Sequence, residues 1–151
     1  RMNTYTQIAS VLFALLTGGM FLIALGLVPY WQSIDPAAFT EVFNTSLPFV
    51  GGTMKNLTMV ATLAMIVAAG LAFWQKLPGR IWTIAAAACA IGMFIMVPIY
   101  FGGANPTLAG GAGSPAEITA ELSRWGQMHW VRTILSIIGM FCAVRAGYSK
   151  S

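Results

Sequence analysis

The chain's single histidine, His129, stands three residues before Arg132 in an apolar stretch. Residues three or four apart lie on one face of a helix, so the two side chains are predicted neighbours. The same face continues through Trp125, Ser136 and Gly139. A neutral imidazole can accept a proton, and a guanidinium can stabilise a developing negative charge. The pattern therefore predicts a site that can bind a ligand and remove a proton from it.

A purely structural interpretation competes with this prediction, because His129 and Arg132 could simply tie loops to helices. An arginine at membrane depth needs a partner in either case. The sequence offers main-chain carbonyls freed by prolines, carboxylates of the first long loop and two amides. These candidates are the carbonyls near Pro29 and Pro98, the side chains of Asp35 and Glu41, and the side chains of Asn56 and Asn105.

The element that must position these residues is a membrane helix. Of the 151 residues, 58% are hydrophobic and 8% are charged, whereas a soluble domain carries about a quarter charged residues. This composition excludes a water-soluble fold, a disordered chain and a nucleic-acid-binding protein. Four stretches are long and apolar enough to span a bilayer. They cover residues 7–30, 57–74, 81–101 and 125–144, which predicts one all-α domain, a four-helix transmembrane bundle, over residues 1–151.

Both longer loops carry helix-start signals. Ser114-Pro115-Ala116-Glu117 combines a serine cap, a proline at the first helical position and a glutamate that closes a capping box. The fourth helix is therefore expected to begin near Pro115. In the first long loop, Asp35-Pro36 is expected to start a short helix through Phe43 that lies on the membrane surface or caps the bundle.

The distribution of charge predicts the orientation. The side that holds both termini and the connector 75–80 has five basic residues and no acid, and the other side has all four acids. Basic residues favour the cytoplasmic side, so the chain is expected to be a multi-pass protein, in the cell inner membrane, with both termini in the cytoplasm. The basic residues are Arg1, Lys76, Arg80, Arg145 and Lys150, and the acids are Asp35, Glu41, Glu117 and Glu121.

The fourth helix carries a recognisable pattern. The segment 124–133, RWGQMHWVRT, follows Asn105-Pro106-Thr107-Leu108 after the third span. Together they resemble the anthrone-oxygenase-like family of small four-helix membrane proteins, most of which have no assigned function. Resemblance to the characterised fungal members of this family implies oxidation of a polyketide anthrone to an anthraquinone by dioxygen, without an evident metal or flavin.

The resemblance implies a role for each candidate residue. His129 would act as the general base and Arg132 would stabilise the oxygen of the anthrone anion. Trp125 or Trp130 would stack on the rings, and Asn105 would hydrogen-bond a second oxygen. Independently of the resemblance, the position of Asn56 at the top of the second span makes it a further candidate substrate-binding residue. No metal or cofactor is expected.

Two other function classes remain open at this point. The chain could be a non-enzymatic accessory or assembly subunit of a larger membrane complex. Its expected partners are membrane lipids, a lipophilic small-molecule substrate, and either further copies of the chain or a larger membrane complex, but not nucleic acid. Transport is less favoured, since no acid lies within any predicted span to form a proton or ion relay. The space beside His129 distinguishes an enzyme from an accessory subunit. An enzyme that acts on a lipophilic anthrone-like or quinol-like aromatic compound needs a cavity there, whereas a subunit should fill that space with side chains.

Overall fold

A computed structural model describes residues 4–111 and 113–149. In this part of the chain, helices are the only regular elements, and two of the junctions between them are π-helical turns. The helices are α1 Thr4–Leu22, α2 Val28–Ser33, α3 Pro36–Trp74, α4 Arg80–Met96, α5 Gly102–Gly110 and α6 Pro115–Tyr148. The π turns are Ile23–Leu27, between α1 and α2, and Val97–Phe101, between α4 and α5.

Joined end to end, these elements form four long helical segments among the described residues. Each segment is long and apolar enough to cross a membrane, and each contains one of the four predicted stretches. The prediction of an all-helical fold, with four helices long and apolar enough to span a membrane, is confirmed for the described residues. The segments are Thr4–Ser33, Pro36–Trp74, Arg80–Gly110 and Pro115–Tyr148. Arg1 and Lys150, on which the predicted orientation partly depends, lie outside the described residues.

The expectation of a separate short helix in the first long loop is corrected by α3. Asp35 does cap a helix, and its side chain accepts a hydrogen bond from the amide of Ala37 at 2.8 Å. This helix does not end at Phe43 but continues without a break to Trp74, with Pro48 inside it. Tertiary contacts support the unexpected segment, since the Asn44 amide donates to the carbonyl of Ala109 at 2.8 Å.

The start of α6 agrees with its predicted sequence signals. The hydroxyl of Ser114 accepts from the amide of Glu117, and the carboxylate of Glu117 accepts from the amide of Ser114, so both halves of the capping box are present. The predicted face is also confirmed, because Trp125, Ser136 and Gly139 are buried with the histidine and the arginine between them.

Two apolar clusters divide the bundle along its length. The terminal cluster, at the end that holds Thr4 and Tyr148, consists mainly of alanine and methionine. The cavity cluster, at the other end, is rich in aromatic rings. The terminal cluster includes Ala9, Phe13, Met65, Ala68, Ala86, Ala90 and Met93. The cavity cluster includes Ile23, Trp31, Phe39, Phe43, Phe101 and Trp125.

Both π turns lie at the level of the cavity cluster, and a proline accompanies each. Pro29 follows the first turn and Pro98 lies within the second. A proline ring clashes with the carbonyl four residues earlier and has no amide hydrogen to donate. The wider π turn relieves this conflict and interrupts the regular hydrogen-bond ladder. The two segments are therefore least regular where the large side chains meet.

Candidate functional site

His129 is held by a hydrogen bond between two helices. Its Nε2 lies 3.1 Å from the carbonyl oxygen of Met20, near the end of α1. A carbonyl can only accept, so Nε2 carries the hydrogen, and in the neutral ring Nδ1 keeps its lone pair. The imidazole is 1% exposed, and its Nδ1 has no hydrogen-bond partner. His129 is therefore oriented by one nitrogen and has a free proton acceptor at the other.

Arg132 is buried one turn further along α6 and is 7% exposed. Its guanidinium carbon lies 4.9 Å from the centroid of the Phe101 ring, which is a cation–π arrangement. Among the described residues it forms no ion pair, and its Nε has no hydrogen-bond partner. An aromatic face cannot neutralise a buried positive charge. The site therefore holds a cation whose charge is left for another group to balance.

Trp125 forms the wall beside these two residues. Its ring stacks on His129, with 5.2 Å between centroids and 4° between planes. Its Nε1 donates to the Asn105 side-chain oxygen at 2.7 Å, which fixes the indole. Trp31 and Phe101 pack edge-on against it at 5.5 Å and 5.2 Å. Asn105 thus positions an aromatic ring rather than serving as the partner of Arg132.

A cavity of about 360 Å³ lies against these side chains, within the range of roughly 300–1,000 Å³ found for small-molecule sites. Three exposed residues of α3 at helical spacing, Pro48, Gly52 and Lys55, also line it, so it opens on the side of the bundle. The polar and aromatic lining consists of Trp31, Lys55, Phe101, Asn105, Trp125, His129 and Arg132. The space expected of an enzyme is present beside the histidine.

Among the described residues, the buried side-chain nitrogens without partners all belong to residues that line this cavity. Within the described residues, three buried side-chain nitrogens lack a hydrogen bond: Nε1 of Trp31, Nδ1 of His129 and Nε of Arg132. All three residues line the cavity. Buried polar groups are normally paired, and each exception costs about 1–3 kcal/mol. These two donors and one acceptor, on residues around one cavity, form a set that a ligand can satisfy after a small side-chain adjustment.

Two predicted site residues lie elsewhere. Trp130 is on the outer side of α6, 37% exposed, and is not part of the cavity lining. Asn56 is exposed on α3, and it is the preceding residue, Lys55, that lines the cavity. The other four, His129, Arg132, Trp125 and Asn105, are brought together.

Sequence reasoning did not assign Trp31, Phe101 or Lys55 to the site. Trp31 lies just after the end of the first predicted span, yet it is 1% exposed and packs against Trp125. Lys55 had one available signal, as the single basic residue between Asp35 and Gln75. No sequence signal marks Phe101, because a phenylalanine at the end of a membrane span is common and does not by itself indicate a binding site.

Comparison with known proteins agrees with the resemblance found in the sequence. The anthrone oxygenase family model matches residues 39–142. This segment is more than half of the chain and includes every residue of the site except Met20, Ile23 and Trp31. Comparisons with curated proteins and with solved structures give no match. The chain belongs to the anthrone oxygenase family, which suggests an oxygenase-like role.

Proposed function

We propose that this member of the anthrone oxygenase family uses the cavity beside His129 to oxidise a lipophilic, anthrone-like or quinol-like aromatic compound with dioxygen. The observation that carries the proposal is that three unpartnered buried nitrogens belong to residues that line one cavity. An accessory subunit that only packs against other helices would have no use for these unpaired groups in the lining of a cavity.

With an anthrone as substrate, the first step is removal of a proton from its central methylene carbon. Nδ1 of His129 accepts it, because Nε2 is occupied by the carbonyl of Met20. The charge that develops spreads through the rings to the carbonyl oxygen. Arg132 and the indole N–H of Trp31 are the available donors for that oxygen, in surroundings of low dielectric where such contacts are strongest.

The electron-rich anion then reacts directly with dioxygen. A carbon–oxygen bond forms, and the imidazolium of His129 returns its proton to the peroxide. His129 next removes the second hydrogen of the same carbon while the oxygen–oxygen bond breaks and hydroxide leaves. Hydroxide and this proton form water. One anthrone and one dioxygen thus give one anthraquinone and one water, with one oxygen atom incorporated, and the protein contributes orientation, charge stabilisation and proton transfer.

The test compares the protein with His129→Gln. A glutamine amide can keep donating to the carbonyl of Met20 but cannot accept a proton at neutral pH. General-base removal is worth about 10²–10⁴-fold, so oxygen uptake with an anthrone and the appearance of anthraquinone absorbance should fall by that factor. In D₂O without oxygen, enzyme-dependent exchange of the methylene hydrogens should be lost as well.

The matched control is Arg124→Gln, on the same helix but with a side chain that is 69% exposed and paired only with Glu121. It should keep both activities. Oxygen uptake by His129→Gln at the wild-type rate contradicts the proposal. Wild-type protein that neither consumes oxygen nor exchanges hydrogen with anthrones or quinols favours the accessory-subunit alternative.

A further inference from the structure

The charges around the cavity are all of one sign. Arg132 lines its buried end and Lys55 lines its opening on α3. None of the residues lining the cavity is acidic. Among the described residues, neither cation forms an ion pair, and the one ion pair present joins Arg124 to Glu121. Two unbalanced positive charges therefore face one apolar space.

Lys55 lines the cavity and forms no ion pair with the rest of the described chain, so its charge is available to a ligand. It is exposed, and it follows Pro48 and Gly52 along the face of α3 where the cavity opens. A Cβ at Gly52 would meet nothing within 4 Å, so this part of the cavity lining is not crowded by neighbouring groups. A lysine stem can run along an apolar wall while its ammonium group stays at the edge.

Resting on the proposed function, we propose that the substrate carries an acidic substituent, a carboxylate or an ionised phenol, that Lys55 binds at the opening of the cavity. Arg132 and Trp31 hold the oxygen of the reacting ring, and Lys55 holds the acidic group at the opposite end. The substrate class is thus an anionic polycyclic aromatic, and Lys55 is a specificity-determining residue.

Binding measurements test this without requiring turnover. The protein is placed in phosphatidylcholine nanodiscs, and quenching of tryptophan fluorescence is followed with two probes of matched shape, anthraquinone-2-carboxylate and neutral 2-(hydroxymethyl)anthraquinone. Wild-type protein should prefer the carboxylate. Lys55→Met should reduce that preference by about five- to tenfold, the effect of losing one partly desolvated charge contact, and leave the neutral probe unchanged.

Lys76→Met is the matched control, since Lys76 lies in the exposed turn after α3 and lines no part of this cavity. It should bind both probes as wild type does. The preference of the wild-type protein should also weaken at high salt, because ions screen an exposed charge.

Three results would overturn the inference: an unchanged preference in Lys55→Met, an equal loss for both probes, or displacement of both probes from wild type by phosphatidylglycerol. The last result would mean that the cations hold a lipid phosphate. Because none of these readouts needs oxygen, an absence of anthrone oxidation would contradict the proposed function alone, whereas activity with an unchanged probe preference would contradict only the role of Lys55.

Discussion

The two ends of the bundle are packed differently, although the same four helical segments form both. In the terminal cluster, alanines let the helices approach closely, and at this end the Thr17 hydroxyl of α1 donates to the main-chain carbonyl of Ser136 in α6 at 3.2 Å. In the cavity cluster, aromatic rings hold the helices apart and leave an open space. Lipid tails are as apolar as leucine, so close packing rather than hydrophobic burial stabilises membrane helices.

The comparison shows how a small membrane protein can accommodate a cavity. The terminal end keeps regular helices with small residues, where Gly139 lies against Phe13 and Cys89. The cavity end contains both π turns and three residues with unpartnered buried nitrogens, one of which is Arg132, which forms no ion pair among the described residues. Each of these features costs stability. We infer that the close-packed end stabilises the fold and the other end is devoted to a ligand.

The largest effect expected from this division is at Arg132. Arg132→Met should reduce the rate of anthrone oxidation by about 10²–10³-fold, the usual consequence of removing a group that stabilises developing charge. The melting temperature should stay the same or rise, because no acid among the described residues would be left unpaired. Oxygen uptake and thermal unfolding in nanodiscs measure the two quantities.

Arg145→Met is the matched variant for this measurement at the terminal end. The Arg145 guanidinium lies 5.5 Å from the centroid of the Trp82 ring, an arrangement similar to that of Arg132 over Phe101. It should retain activity. If Arg132→Met lowers both the melting temperature and the activity, Arg132 stabilises the fold, and the proposed difference between the two ends is wrong.

The second effect concerns packing. Gly139→Ala should destabilise the protein by about 1–3 kcal/mol, because its Cβ would lie 2.6 Å from Cζ of Phe13 and 3.0 Å from Cβ of Cys89. Gly52→Ala, at the opening of the cavity, meets nothing within 4 Å and should unfold as wild type does. Chemical denaturation in mild detergent compares the two. Equal stability of both variants would show that the terminal end is no more tightly packed than the other.

The smallest effect separates two tryptophans of α6. Trp125→Leu removes the ring that stacks on His129 and lines the cavity, and should raise KM for an anthrone about tenfold, consistent with a loss of roughly 1.5 kcal/mol of aromatic contact. Trp130→Leu changes a side chain on the outer surface and should leave KM within about twofold. A larger effect of Trp130→Leu than of Trp125→Leu would support the sequence-based prediction that Trp130 contacts the substrate.

Much of the fold and part of the site followed from local patterns. Helical spacing identified the buried face of α6, and the capping box located its start at Ser114 and Pro115. The same local reasoning missed the continuity of α3, because Pro48 and the polar residues before it are typical of a loop. It also could not tell Asn105, which fixes Trp125, from Asn56, which is exposed.

What the sequence by itself determined is the set of four apolar helices, the single histidine and the arginine three residues after it on one face, because these depend on hydrophobicity and on the helical repeat alone. The tertiary structure decided which carbonyl binds Nε2 of His129, which ring lies under Arg132, and that Trp31 and Lys55 join the same cavity. These contacts join helices far apart in the chain, so they depend on how the helices pack, which the spacing of residues along the chain does not encode.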